Sequence, residues 1–195
     1  MEEPEIKQES SSIKGLFASK GMRTFFTIWT GQLISLIGSQ LTGFALGVWV
    51  YDQTKSVMIL ALVQVATQAP YILLSPLAGV LSDRWNRRTA MIVSDFGAGL
   101  AVLAIGTLYL TQHLQVWMVI PINLIMSAFN TLMWPALTAS ITLLVPKQHF
   151  GRANGFMQLG EALPQIAGPA LAGMMYVAIH IGNMAMIDFA TYVFS

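Results

Sequence analysis

Two long stretches of this chain carry no charged residue: Phe25 to Val50, and Val57 to Ser82. A helix needs about 20 mostly apolar residues to cross the hydrocarbon core of a bilayer, and both stretches exceed that length. The rest of the chain fits the same reading, with 55% hydrophobic residues and 10% charged. A soluble domain carries about 25% charged residues. The chain is therefore expected to be an all-α polytopic membrane protein.

Five complete spans and one incomplete span can be marked in the sequence. They cover roughly 25–50, 57–81, 90–110, 116–137 and 153–179, with a sixth over 183–195. The sixth is too short to cross, so the sequence reads as truncated within a span. Residues 1–24 form a separate region. The first dozen are acidic and polar and read as a disordered tail, and no apolar signal core follows a basic start. Ile13 to Thr24 mixes basic and apolar residues, as a helix on the inner membrane surface or a simple basic flank would.

Charge placement sets the orientation. Lys7, Lys14, Lys20 and Arg23 precede the first span, Arg84, Arg87 and Arg88 lie between the second and third, and Lys147 and Arg152 lie between the fourth and fifth. These segments alternate onto one side, leaving only Lys55 opposite, balanced by Asp52. Basic loops stay cytoplasmic, so the N-terminus is expected inside. Trp29, Trp49 and Tyr51 near span ends read as interface anchors.

Lipid gives no hydrophobic drive for one span to join another, so small residues that permit close approach matter. Gly31, Ser35, Gly38 and Thr42 form one such stripe, and Gly160, Pro164, Gly168 and Ala172 another. Helix packing is the plain reading of both. Pro70, Pro76, Pro121, Pro135, Pro164 and Pro169 should bend or loosen their helices.

Between the second and third spans the sequence runs Gly79-Val80-Leu81-Ser82-Asp83-Arg84-Trp85-Asn86-Arg87-Arg88. The glycine of this very short loop should let two helix ends approach closely, and its Asp-Arg and Arg-Arg pairs can form charge-assisted hydrogen bonds across the helix junction. This segment resembles the signature loop of the major facilitator superfamily, in motif and in position. A second likeness lies in the fifth span, where Gly155, Gly168, Pro169 and Gly173 are similar to the glycine-rich antiporter motif. Pro164 and Ala172 stand where that motif usually has glycine. Gln32, Ser35, Gly38 and Arg152-Ala153-Asn154-Gly155 resemble the branch that includes macrolide and siderophore exporters.

The resemblance implies a twelve-span transporter in two six-helix halves, of which this chain is the first, cut within its sixth helix. A C-terminal six-helix half is then the missing partner. The bilayer, a small-molecule substrate and protons are the other partners, and a bacterial inner membrane is the location. It also implies a conformational-gating role for Gly79, Asp83, Arg84, Arg87 and Arg88.

Ionisable groups inside a membrane are costly and invite functional hypotheses. Gln158, Glu161 and Gln165 are spaced three and four apart and share a helix face. Glu161 is the candidate for coupling proton entry to substrate exit, the alternative being a carboxyl hydrogen-bonded to neighbouring helices. Asp95 lies two turns beyond Arg88 and is expected to pair with Arg88, Arg84 or Arg152. Asp188 is expected near the outer surface, anchoring or capping its helix. Because the first and fourth helices usually line the superfamily's cavity, Gln40 and Asn130 join Gln158 and Gln165 as cavity candidates. Asn123 shares a face with Asn130, and Gln32 roughly one with Gln40. The twelve methionines are mostly packing.

Several function classes find no support. His113, His149 and His180 have no metal-ligand spacing, there is no cysteine, and no phosphate loop is present. Neither a metal nor a cofactor is expected, nor an enzyme, since no nucleophile–base arrangement is visible. The inside arginines are too few and too close to the membrane for nucleic acid. The leading expectation is a secondary exporter of amphipathic small molecules, such as drugs, macrolides or siderophores, driven by proton antiport with alternating access. An importer on the same fold and a non-transporting half or sensor remain the alternatives.

Overall fold

A computed structural model describes residues 20–178 and 181–194, and the side chains of all of these except 20, 82, 83, 142, 176–178 and 194. Seven α-helices make up the described fold: α1 (Lys20–Thr54), α2 (Val57–Arg84), α3 (Arg87–Leu110), α4 (Val116–Asn130), α5 (Met133–Leu144), α6 (Phe150–Ala178) and α7 (Ile181–Phe194). A 3-10 turn at Lys147–His149 joins α5 to α6. The expected tail and most of the expected surface segment lie outside the described residues, as does His180.

Among the described residues, four segments are long and apolar enough to cross a membrane: Gly21–Thr54, Val57–Leu81, Arg87–Leu110 and Val116–Ile141. The 29-residue α6 has length to spare but carries Arg152, Glu161 and three amide side chains, and α7 has 14 residues.

Local chemistry places the ends. Ser56 Oγ accepts from Ile59 N–H and starts α2, while Asn86 Oδ1 accepts from Arg88 N–H at 3.1 Å and starts α3. Such caps satisfy amides that the first turn of a helix leaves open. Lys55 and Gln112, at φ 50 and 61, end α1 and α3 in the left-handed conformation common after helix C-termini. In the short turn before α2, Lys55 pairs with Asp52. That hydrogen bond holds the Lys55 amino group above its ordinary value.

The fourth expected span is divided. It stops at Asn130 and resumes at Met133. Pro135 explains the break, because its ring collides with the carbonyl four residues back and it donates no hydrogen bond there; that residue is Thr131. The helix then runs on to Leu144, past the expected end near 137. In α2, Pro76 likewise removes a donor from the Ile72 carbonyl, and Ser75 Oγ supplies one at 3.3 Å. This is how proline-loosened helices stay satisfied in lipid.

The bundle is apolar outside and polar within. Leu73, Ile166 and Met174 are each at least 74% exposed, whereas Ser94, Asn123, Thr131 and Asp188 are buried. A soluble protein has the reverse arrangement. Burial is layered along α1. Near its start, Met22 and Phe25 pack with Leu137, Ile141, Val145, Ala153 and Met157. Near its end, Leu46 and Val50 pack with Val63, Ile105 and Val119. Between these apolar clusters lie Gln32, Ser35, Ser39 and Thr42. α1 packs most extensively against α6 and α7, and α7 in turn against α3.

Both small-residue stripes are helix seams. The α6 stripe faces α1: Gly160 lies under Trp29, whose Nε1 donates to the Phe156 carbonyl at 2.8 Å. Trp29 is thus tied to the α6 backbone by its polar tip, beyond the anchoring role expected of it. A side-chain carbon on Gly168 would lie 2.6 Å from Gln40 Cβ. The α1 stripe faces α7, where a carbon on Gly38 would lie 2.8 Å from Asp188 Oδ1 and 2.9 Å from Thr191 Oγ1.

Candidate functional site

Polar side chains inside lipid must find one another, because no water competes for them. In this bundle they gather at mid-depth from α1, α2, α3, α4 and α7. They border a cavity of about 200 Å³ that includes Gln32, Ser39, Gln68, Asp95, Asn130 and Tyr192 among its walls. Tyr71 and Trp134 add aromatic surface. A cavity of this makeup can seat an aromatic or apolar group and orient it by a few polar contacts.

The walls are held by bonds that cross between helices. Ser127 Oγ donates to the Thr67 carbonyl at 2.6 Å, fixing α4 to α2. Ser94 Oγ donates to the Phe129 carbonyl at 2.8 Å, fixing α3 to the end of α4. Gln32 Nε2 donates to Asp95 Oδ2 at 3.1 Å, bringing α3 to α1. Gln32 is thus one partner of Asp95, and the carboxyl stands in the cavity wall.

Asp188 is placed differently from expectation. It is buried at the level of Gly38, in the middle of α1, and not at the outer surface. Ser39 Oγ donates to its Oδ1 at 3.3 Å and also lies 2.9 Å from the Tyr192 hydroxyl. Asn130 reaches that same hydroxyl. Thr42 stands within range of the carboxyl, yet neither Thr42 Oγ1 nor Asp188 Oδ2 completes a well-formed hydrogen bond. Along the chain this group is marked only by its charge. Its depth depends on where α7 docks, and Ser39 and Tyr192 had no distinguishing signal at all.

The other sequence candidates divide. Asn130 lines the cavity. Gln40 does not; its stem packs on Gly168 in the α1–α6 seam. Gln158, Glu161 and Gln165 are exposed on the outside of α6, together on one face as their spacing requires and away from the cavity. Gly155 and Gly173 have open space where a side chain would go, and Pro169 is exposed. Of that motif, Gly168 alone mediates a close approach among the described residues.

Gly79 also has nothing within 4 Å of its missing side chain, so the close helix approach expected there is not made within the described bundle. The Asp83 side chain lies outside the described residues. Arg87 and Arg88 border a cleft of about 390 Å³ with Ser140, Leu143 and Leu144 of α5, and Gly21 abuts the Leu144 carbonyl. The α1 start, the α2–α3 loop and the α5 end therefore share one end of the bundle.

Among the described residues no group of three or more His, Asp or Glu side chains is arranged to hold a metal ion.

Comparison with known proteins gives the family. A family model described as transmembrane secretion effector, of the major facilitator transporters, matches residues 15–195. Macrolide efflux protein A of Streptococcus pyogenes is 34% identical over 166 residues, which is 84% of this chain and 40% of that protein. The protein of that name from Enterococcus faecalis is 34% identical over 121 residues, 61% of this chain and 37% of the relative. An uncharacterized MFS-type transporter, YfiS of Bacillus subtilis (strain 168), is 27% identical over 177 residues, 90% of this chain and 41% of its own length. This chain thus spans about 40% of the length of the curated relatives it matches. No solved structure matches it. A multi-pass, all-helical membrane bundle with these matches belongs to the transmembrane secretion effector family of major facilitator transporters.

Proposed function

We propose that this bundle is the N-terminal half of a secondary exporter, moving amphipathic small molecules outward by proton antiport and alternating access. The observation that carries the reading is the polar cavity with aromatic walls inside an otherwise apolar bundle. A purely structural bundle has no need to hold open such a space at the cost of placing Asp95, Gln32 and Asn130 in a membrane interior. The outward direction rests on the relatives, two of which are named for macrolide efflux.

The outer faces of α6 support a partner half. Leu159, Leu163, Ile166 and Met174 form an exposed apolar face suited to lipid. Gly155, Gln158, Glu161, Gln165 and Pro169 form a second, small and polar exposed face that lipid would leave unsatisfied. A second six-helix half covering this face would complete the amide bonds and close a shared pathway, with Gln40 nearby. Two halves rocking about a midplane site is the mechanism of this superfamily, which also serves as a standard example of repeat-built transporters. Glu161 on that face is the coupling carboxyl in this reading, and the Gly79–Arg88 loop at the basic end is the gate. The basic residues at that end support a cytoplasmic N-terminus in a bacterial inner membrane.

The test is efflux from cells expressing the complete transporter, using dyes, macrolides and siderophores, with and without a proton uncoupler. Uncoupler-sensitive efflux is expected, and Glu161→Gln should abolish it while the protein still inserts. Efflux indifferent to the uncoupler would reject antiport, and unchanged efflux in the variant would remove Glu161 from the coupling step.

A further inference from the structure

Asp188 has no part in the coupling scheme above, yet it is the most deeply buried acid among the described residues. Its side chain is 0% exposed at the middle of the bundle. Gly38 makes this possible, because any side chain there would occupy the space of Asp188 Oδ1 and Thr191 Oγ1. The groups around it are hydroxyls. α1 presents Ser39 and Thr42, and α7 itself presents Thr191 and Tyr192. The titratable group that α3 brings to this region is Asp95, in the wall of the cavity that Tyr192 also lines. Among the described residues no basic side chain pairs with Asp188.

A carboxylate without a cation in a membrane interior is strongly disfavoured. Hydroxyls alone do not replace the lost hydration, and here Oδ2 lacks even one complete hydrogen bond. A packing role would be served as well by asparagine or serine. What distinguishes an acid at this place is its capacity to hold a proton, and a connected set of hydroxyls leads from it to the cavity. Ser39 Oγ is 3.3 Å from Asp188 Oδ1 and 2.9 Å from the Tyr192 hydroxyl, and Ser39 and Tyr192 both line the cavity.

We propose that Asp188 is a proton-carrying site of the transport cycle, connected to the cavity through the Ser39 and Tyr192 hydroxyls. Uptake starts from the bond in which Ser39 Oγ donates to Asp188 Oδ1, with the Tyr192 hydroxyl donating to Ser39 Oγ, one of the two senses their contact allows. Ser39 Oγ–H passes its proton to Asp188 Oδ1, Ser39 Oγ takes the proton of the Tyr192 hydroxyl, and Tyr192 takes one from a hydronium in the cavity. The carboxylate becomes a neutral acid, each hydroxyl ends with one proton, and the hydronium becomes water. Release is the reverse, toward the cavity whose wall holds the Asp95 carboxyl. In the protonated state α7 stays seated on α1. Loss of the proton leaves an uncompensated charge in that seam and favours its opening. The role in transport rests on the antiport reading, whereas the proton at Asp188 is observable without substrate.

The experiment is pH-difference infrared spectroscopy on the protein in lipid nanodiscs. A carbonyl band of a protonated carboxylic acid should be present, vanish in Asp188→Asn, move in Asp188→Glu and remain in Glu161→Gln. In Ser39→Ala the band should persist while its exchange with deuterium oxide slows by about tenfold. A band unchanged in Asp188→Asn, or absent from the native protein, would overturn the proposal. Should Asp188→Asn fail to insert, the other two variants decide: a band unmoved in Asp188→Glu, or exchange unaltered in Ser39→Ala, overturns it as well. Efflux indifferent to an uncoupler with the Asp188 band intact would reject antiport and leave the site standing.

Discussion

α1 forms two long seams, and they are built from the same material for different ends. On the α6 side, Gly160, Pro164, Gly168 and Ala172 let the helices touch, and the contacts are with Trp29 and the stem of Gln40. Trp29, Phe26 and Phe156 pack edge to face around it. On the α7 side, Ser35, Gly38 and Thr42 are buried, but Gly38 is covered by Asp188 and Thr191. One seam is an aromatic and aliphatic joint, and the other encloses an acid with its hydroxyls. A stripe of small residues therefore says that two helices meet closely. The facing helix decides whether the joint is inert or can change with protonation.

The sharpest way to break this contrast is to fill Gly38. Gly38→Val would drive a branched side chain into Asp188 Oδ1, Thr191 Oγ1 and, at 3.3 Å, the Asp188 Cα. It should cost about 3 kcal/mol, the upper end for overpacking a filled interior, and detergent-resistant thermal unfolding should show the loss. Filling the inert seam should cost somewhat less. Gly168→Ala is expected to destabilise by about 2 kcal/mol, because its new carbon meets Gln40 Cβ at 2.6 Å. Gln40→Ala should not relieve that clash, since the offending carbon stays, whereas Gln40→Gly should. The seams also predict different pH behaviour: the Gly168 variant should lose the same stability at acid and neutral pH.

The smallest effect should come from outside both seams. Gly155→Ala and Gly173→Ala place a methyl group in open space. Thermal unfolding of this chain should then stay within about 0.5 kcal/mol of the native value. If the same substitutions impair efflux by the complete transporter, the face they share with Gln158 and Gln165 meets a partner there. Unimpaired efflux would assign that face to lipid instead.

The fold was largely legible because lipid imposes a simple rule: a crossing segment must be apolar and helical. The charge-free runs before Val50 and after Val57 fell inside α1 and α2, and the caps at Ser56 and Asn86 lie where charge and small polar residues interrupt the pattern. The break between α4 and α5 was marked by Pro135, although a proline alone does not say whether a helix will bend or stop. The family too was written in local order, in the loop from Gly79 to Arg88.

The site was legible only in part, and the reason is geometric. Gln158, Glu161 and Gln165 lie on one helix, so their common face follows from spacing. The cavity draws Gln32, Asp95, Asn130 and Tyr192 from four helices far apart in the chain, and no periodicity relates them. Asp188 shows the division most clearly. Its sequence position near the start of a span pointed to the membrane surface. Because α7 runs antiparallel to α1 and seats on Gly38, the acid arrives at mid-depth instead. The sequence by itself determined which segments enter the membrane, which end is basic and which family the chain resembles, since those depend on solvation and local order. Only the tertiary structure decided which buried polar groups meet, because helix pairing and depth depend on the fit of surfaces that are distant along the chain.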